Sequence, residues 1–415
     1  MDLLTSALKK IDNFAGPTYN RAALAFSGGV DSALCVELLR RIYKVKEIIA
    51  ITVDVGQGDG EVKTCIDVAT KLGIKPIAIN AKDIFSKEWL TKAIQANSSY
   101  NGYPVSTSMT RQLIAQKVAI KAKELGCDVL VEGSTGKGND QYRMHNVFSY
   151  FAPKIDVLAP IRDFDLSRHE ELALCKAWDI PVHEQIVGGD DKTLWCRSIA
   201  SGAIGLNQKI SSDVWMWLKQ DEKMVQDGKE VVITFDKGIP VALDDKKLPL
   251  VDIINQLNVL GGACGIGIID IIEDGIMGLK SHELYEAPAA TIILTAKKDL
   301  EQLCLTKEEI QYKKNIDATW AYLVYHGMWF HPLKQALDAF IEKTQEVLCG
   351  VYKIKLNKGV ISIVERTSSY SLFFPHIRSI TSDAFNQKQC KDAAKIIGLP
   401  FDVLALRSKN NESCL

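Results

Sequence analysis

Short apolar runs alternate with amphipathic stretches through the first part of the chain. Ala22–Phe26 reads as a buried strand, and Ala33–Arg41 as a helix with Leu34, Leu38 and Leu39 on one face. IIAITVDV (48–55) predicts a second strand, followed by GQGDGE and a helix ending at Gly73. PIAIN (76–80) predicts a third strand, Asp83–Asn97 a helix, and SSYNGYPVSTS (98–108) a long loop of turn-forming composition. Thr110–Leu125 is amphipathic with a helical period and closes at Gly126, while DVLVEG (128–133) and VLAPI (157–161) read as further strands. Ser167-Arg168-His169-Glu170 has the spacing of a capping box, opening a helix that stops before Pro181. Strand and helix in alternation predict an α/β fold: a doubly wound parallel sheet with ligands at the carboxyl ends of its strands.

The rhythm changes after residue 183. Val231–Phe235, Ile239–Leu243, Gly267–Ile272, Thr291–Thr295, Gly350–Leu356 and Gly359–Glu365 read as strands, several paired like hairpins, with helices at Leu300–Ala321 and Pro332–Val347. That is an α+β pattern. A helix around Asp383–Ile397 and a polar tail, SKNNESCL, expected to be disordered, complete the chain. Three parts are therefore expected, residues 1–183, 184–373 and 374–415.

Composition narrows the class. A length of 415 residues suffices for two or three domains with full cores. The 51 acidic residues and 50 Lys+Arg nearly cancel, so bulk charge supplies no drive toward nucleic acid. The ten cysteines include no CxxC pair and no metal-ligand spacing; they read as reduced apolar fillers, which suits the cytoplasm. MDLLTSALKKIDNF is too polar for a signal peptide, and the most apolar stretch, Val259–Ile272, contains Asp270 and four glycines and cannot span a bilayer. The expectation is a soluble cytoplasmic protein with small-molecule partners, no nucleic acid and no membrane.

Two strand-to-helix turns carry the chemistry. SGGVDS (27–32) aims backbone N–H groups and a helix N-terminus at one spot, an anion site. It has neither the GxGxxG of a dinucleotide fold nor the GxxxxGK[ST] of a Walker A loop. It resembles instead the pyrophosphate loop of ATP pyrophosphatases, which adenylate an acceptor and release pyrophosphate. Gly28 and Gly29 let backbone approach phosphate oxygens, Ser27 and Ser32 donate hydroxyl hydrogen bonds, and Asp31 is placed to help hold Mg²⁺. The second turn, VEGSTGKGNDQYR (131–143), gathers Thr135, Lys137, Asn139, Asp140 and Arg143 among three glycines. Elsewhere the plainer readings are preferred. His326 and His331 are taken as core or surface histidines rather than metal ligands, Trp215 and Trp217 as packing residues, and Asp244–Lys247 as a charged hairpin turn. GQGDGE is read equally as a ribose contact or a solvated turn.

SGGVDS, DVGQ, GSTGKGNDQYR, LYEAPA and YHGMWFHPLKQALDAFI, in that order, resemble the argininosuccinate synthase family over most of the chain. The resemblance implies an adenine nucleotide alpha hydrolase-like nucleotide domain, a synthetase and multimerisation domain, and a homotetramer. It implies ligation of citrulline to aspartate with ATP cleaved to AMP and pyrophosphate. Within it, Ala25, Phe26, Ser27, Gly28, Gly29, Val30, Asp31, Ser32, Val53, Gly133, Gly136, Lys137 and Gly138 fall where the family binds ATP. Thr135, Asn139 and Asp140 fall at the aspartate positions, and Tyr103, Ser108, Asn139, Arg143, Ser198, Glu273 and Tyr285 at the citrulline positions. Asp31, Lys137 and Asp140 are the residues expected to carry catalysis, with Mg²⁺ accompanying ATP and no dedicated protein metal site.

Departures from the family pattern cluster on the acceptor side. Gly189 stands where a serine is usual, and Ile268, Gly275 and His282 where arginines are usual; an Arg-Pro pair reads Arg111-Gln112. They keep open a paralogous aspartate ligase with a different ureido or carbonyl acceptor. A tRNA-modifying pyrophosphatase and a non-catalytic nucleotide-binding scaffold are further alternatives.

Overall fold

The computed structural model describes residues 2–12, 14–182, 190–199, 205–207, 209–220, 223–379 and 381–412. Strands Arg21–Ala25, Glu47–Asp54, Lys75–Asn80, Val129–Val131 and Asp156–Leu158 form one parallel sheet, in the spatial order third, second, first, fourth, fifth. The near-continuous apolar character of the three central strands, Arg21–Ala25, Glu47–Asp54 and Val129–Val131, reflects burial on both faces, while the two edge strands are largely exposed or half-buried. Alternate residues serve different cores: Ala22 and Leu24 pack with Leu34, Leu38 and Leu174, whereas Ala23 packs with Leu113, Val118 and Phe148. Strand order reverses between Arg21–Ala25 and Val129–Val131, whose residues Ala22 and Val129 are in register. A doubly wound sheet of this kind opens a crevice at that reversal, outside the carboxyl ends of the two strands.

The capping box forms as its spacing predicts. Ser167 and Glu170 cap helix Arg168–Ala177 reciprocally, and the Ser6 hydroxyl and Lys10 Nζ from helix Leu3–Asp12 reach the same carboxylate at 2.8 and 2.9 Å.

The later part contains two antiparallel sheets. One orders Lys246–Lys247, Ile239–Leu243, Lys229–Asp236, Gly350–Asn357 and Val360–Thr367; the other orders Ile268–Asp274, Lys280–Glu286, Arg197–Ile199 and Asp190–Lys192. Asp244 and Asp245, both in the left-handed region (φ 47° and 62°), make the two-residue turn between the strands ending at Leu243 and starting at Lys246.

Four expectations are corrected. Thr291–Thr295 is not a strand but part of helix Pro288–Cys304. Its β-branched residues are accommodated because Thr291 and Thr295 hydroxyls donate to the carbonyls of Ala287 and Thr291, at 2.7 and 2.6 Å. The single helix over Leu300–Ala321 is two, interrupted where Thr306 and Glu309 form a second capping box for Lys307–Tyr325. The 98–108 loop is a short hairpin, Ser99–Tyr100 against Tyr103–Pro104, and helix Thr107–Glu124 already begins within it. Within VLAPI the strand stops at Leu158, because Pro160 starts a helical turn, Pro160–Asp163.

Residues Met1–Tyr370 form one compact unit and Ser371–Leu415 another. The second unit holds helix Cys390–Glu412, so the polar segment from Ser408 to Glu412 continues a helix rather than a disordered tail. The proposed boundary at 183/184 lies outside the described residues. No helix among those described is long and apolar enough to cross a membrane.

Candidate active site

The turn after Arg21–Ala25 shows why two glycines stand there. Gly28 takes φ +72°, and a Cβ on it would lie 3.2 Å from the Cys65 Cα. Gly29 caps helix Val30–Arg41 without any side-chain hydrogen bond to its first turn, leaving those N–H groups free for an anion. The Ser27 and Ser32 hydroxyls are 3.2 Å apart, and Ser32 Oγ donates to Gly29 O at 3.1 Å, which stiffens the turn. Phe26 and Val53 are buried in the core, so only their backbones are available to a nucleotide.

Asp31 is not isolated. Its Oδ1 accepts from Arg168 Nη1 at 2.5 Å, and the same nitrogen donates to Glu171 Oε2 at 2.9 Å. Burial, then the neighbouring Asp31 carboxylate, pushes the Glu171 carboxyl up to about 8.

The second turn leaves the adjacent strand, Val129–Val131, and packs directly on the first. Gly133 is required for this fit, because a Cβ there would lie 3.2 Å from Asp31 Cβ and 3.3 Å from Ser32 N. Gln141 Nε2 donates to Gly136 O and Gly138 O at 2.9 and 3.0 Å, holding the glycine loop closed. Lys137 is exposed on that loop, with no hydrogen bond or ion pair among the described residues. The two loops thus meet at the crevice where strand order reverses, with an exposed cation, Lys137, and two sets of backbone amides on one side.

Asn139 and Asp140 open helix Asp140–Phe151 and face the later part of the chain. Asp140 Oδ2 accepts from Arg111 Nε at 2.7 Å and Oδ1 from Arg143 Nη1 at 2.9 Å; Arg111 Nη2 continues to Asp191 Oδ1 at 2.6 Å. Burial raises the Asp140 carboxyl, but the two guanidinium groups outweigh it and hold it below the ordinary range. Asn139 Oδ1 accepts from Ile276 N at 2.9 Å and its amide donates to the Tyr325 hydroxyl at 3.0 Å.

Beyond these lies a carboxylate between two phenols. Glu273 is buried and accepts from Tyr285 at 2.6 Å and from Tyr325 through its other oxygen. Tyr103 stacks on Tyr285 at 4.1 Å between ring centres, Tyr100 stacks on Tyr325 at 3.8 Å, and the Arg143 guanidinium lies over the Tyr325 ring. Ser198 pairs with Tyr285 across the sheet, and the buried Ser108 hydroxyl has no hydrogen-bond partner among the described residues.

Residues 21–181 match the description "Arginosuccinate synthase N-terminal HUP domain" and residues 189–404 "Arginosuccinate synthase C-terminal domain". The chain is 41% identical over 393 residues to the argininosuccinate synthase of Methanocaldococcus jannaschii, covering 94% of this chain and 98% of that protein. The chain belongs to the argininosuccinate synthase family. It is also 38% identical to the synthase of Methanopyrus kandleri (94% and 100% covered) and 40% identical to that of Methanococcus maripaludis (91% and 96%). A U34-tRNA thiolase structure, NcsA from Methanococcus maripaludis, overlaps 44% of this chain and 65% of its own at 18% identity and a TM-score of 0.29, too little to argue from.

Of the site residues read from sequence, Asp31 packs against Gly133, Asp140 pairs with Arg143, and Asn139, Glu273, Tyr285 and Tyr103 are linked through Tyr325; Gly189, one of the departures, lies outside the described residues. Three participants were not foreseen: Tyr325, Tyr100 and Arg111. Tyr325 sits in the quoted YHGMWFHP segment, but its partners Glu273 and Asn139 are 52 and 186 residues away, so no local spacing marks it. Arg143 is more committed than expected: Nε donates to Tyr325 O at 3.0 Å and Nη1 to Asp140, so Nη2 is the nitrogen without a hydrogen bond among the described residues.

The departures have local explanations. His282 pairs with Asp270 at 2.7 Å, and Ile268 lies exposed on its strand. Gly275 leaves room for Asn139, whose Oδ1 would be 3.3 Å from an added Cβ. Gln112 joins helix Thr107–Glu124 to the later part, donating to Val324 O at 2.9 Å and accepting from Trp329 N at 2.8 Å. Only the start of the GQGDGE turn packs inward, with Gly56 against Leu194 and Leu194 N donating to Val55 O at 3.2 Å, whereas Gly58, Asp59 and Gly60 are exposed.

Proposed function

We propose that this chain is an ATP-dependent carbon–nitrogen ligase joining citrulline to aspartate, releasing AMP and pyrophosphate and yielding argininosuccinate for arginine synthesis. The observation that carries this reading is the convergence of two glycine loops with the Arg111–Asp140–Arg143 and Glu273–Tyr285–Tyr325 clusters at one crevice. None of the acceptor-side departures removes a member of those clusters, and nothing in the geometry favours a different acceptor.

ATP lies with its phosphates on the amides of residues 27–32 and 133–138, and Lys137 swings onto them. Glu273, flanked by Tyr285, receives the α-amino group of citrulline, while the Ser108 hydroxyl and Arg143 Nη2 meet its carboxylate. The ureido oxygen attacks the α-phosphorus, the bond to the β-phosphate oxygen breaks, and pyrophosphate leaves. The aspartate amine, held by Asn139, Thr135 and Asp140, passes its extra proton to solvent and then attacks the ureido carbon. The carbon–oxygen bond to AMP breaks. Positioning and charge stabilisation, rather than a covalent protein intermediate, supply the rate.

Mg²⁺ enters as part of the nucleotide substrate. Asp31 has one neighbouring carboxyl, Glu171, and a guanidinium already bonds both, which is a poor cage for a resident cation. The assembly is a homotetramer and the compartment the cytoplasm, in keeping with nine described cysteines that are all free thiols.

The test is pyrophosphate release from Mg-ATP with citrulline and aspartate supplied singly and together, and product mass read out. Turnover requiring both, with the argininosuccinate mass, is expected. Asp140→Asn should lower aspartate-dependent turnover by about 100-fold or more while ATP affinity stays within about threefold. Full activity in that variant would remove Asp140 from the aspartate site.

A further inference from the structure

The phosphate loop contains a carboxylate, Asp31, in the first turn of its helix. A carboxylate beside a polyphosphate is repulsive unless a cation offsets it. Arg168 supplies that cation in an unusual way. A single nitrogen, Nη1, reaches both Asp31 and Glu171, so Nε and Nη2 have no hydrogen-bond partner among the described residues. Glu171 is buried whereas the Arg168 side chain is half exposed, so one edge of the guanidinium is anchored and the opposite edge is free.

The anchor is itself fixed. Arg168 is the first residue of helix Arg168–Ala177, immediately after the Ser167 cap, and Glu170 of that cap is held by Lys10 and Ser6. A guanidinium positioned by a capped helix start loses little freedom when it takes a second set of oxygens. Its planar Nε–Nη2 edge matches two oxygens of a phosphate group.

We infer that Arg168 binds the pyrophosphate half of the nucleotide through its Nε–Nη2 edge, tethered by Asp31 and Glu171, and stabilises the pyrophosphate as it leaves. This rests on the ligase reading of the same crevice. It assigns Asp31 the task of orienting Arg168 as well as any contact with phosphate-bound Mg²⁺.

Calorimetric titration of the full chain with Mg-pyrophosphate, Mg-ATP and AMP tests it, with Arg168→Ala and Arg168→Lys beside the parent. Arg168→Ala should weaken pyrophosphate and ATP by about 10- to 100-fold and leave AMP within about twofold. Arg168→Lys, which keeps the charge but not the fork, should recover part of the pyrophosphate affinity. Unchanged pyrophosphate affinity in Arg168→Ala would overturn the inference, as would equal weakening of AMP, which would show a collapsed loop instead. Failure of the ligase reading looks different: the parent would bind pyrophosphate yet form no argininosuccinate from citrulline and aspartate.

Discussion

The Tyr325 hydroxyl lies between a carboxylate and an amide, donating to Glu273 and accepting from Asn139. It thereby ties the acceptor cluster to the loop that presents Asp140. Removing that oxygen leaves a buried carboxylate with one donor fewer and an amide without its acceptor, a cost of about 1–3 kcal/mol. Tyr325→Phe is therefore expected to raise the citrulline KM or lower kcat by about 10- to 100-fold, with ATP affinity unchanged. Steady-state kinetics with each substrate varied in turn measures this, and an unaltered citrulline dependence would show that the hydroxyl has no part in the acceptor site. Residue identity alone named Glu273, Tyr285 and Arg143 through the family resemblance. It did not show that Arg143 is already engaged by Asp140 and the Tyr325 carbonyl, because side-chain commitment depends on neighbours from distant segments.

Helix Arg168–Ala177 shows how one local motif reaches the site. Its capping box was legible because the pattern Ser-x-x-Glu satisfies two orphan N–H groups within four residues. What it anchors was not legible, since Lys10 and Ser6 arrive from the first helix. Burial raises the Glu170 carboxyl, but Lys10, the Ser167 amide and the two hydroxyls more than offset it and bring it down to about 2. A carboxyl lowered on folding stabilises the native state above its unfolded pKa, and that contribution fades as pH falls from about 5 toward 2. Glu170→Gln should thus cost about 2 kcal/mol at pH 7 and much less near pH 3. Urea midpoints of both proteins at the two pH values would test this; an equal gap at both would assign the loss to packing. The opposite lesson comes from Thr291–Thr295, where β-branched composition pointed to a strand. Burial of Ile292 and Ile293 and the threonine bonds to preceding carbonyls decided for a helix.

At the scale of the molecule, the parallel sheet shares one of its two cores with the later part. Ala23, Leu113 and Phe148 belong to the same buried cluster as Tyr285, Trp320 and Tyr352. A polar junction runs through it: Lys297 and Lys313, both buried, donate to Gln95 O at 2.7 and 2.9 Å and pair with Glu301 at 2.5 and 3.1 Å. The unit Ser371–Leu415 is different. Its long helix exposes Ile396, Leu399, Val403 and Leu406 at spacings of three and four, together with Ile397, Phe401 and Leu404. So broad an apolar surface on one helix fits a role in assembly. Truncation after Tyr370 is expected to leave a cooperatively folding chain with an unfolding midpoint within about 5 °C of the parent. Its mass in solution by light scattering should fall below that of the full chain, proposed above to be a homotetramer. A truncated chain that stayed tetrameric would place the assembly contacts in the first unit.

What the sequence by itself determined is local and periodic. Alternating apolar runs specified the parallel strands and the helices between them, and Ser-Gly-Gly-Val-Asp-Ser and Gly-Lys-Gly-Asn-Asp specified two glycine-rich strand-to-helix turns, because the signals lie within a few bonds of the structures they set. Tertiary structure alone decided which turns meet. Val129–Val131 had to settle beside Arg21–Ala25 before Gly133 could touch Asp31, and Lys307–Tyr325 had to dock before Tyr325 could reach Glu273 and Asn139. Those contacts depend on burial shared by segments more than 50 residues apart, and no pattern within either segment contains it.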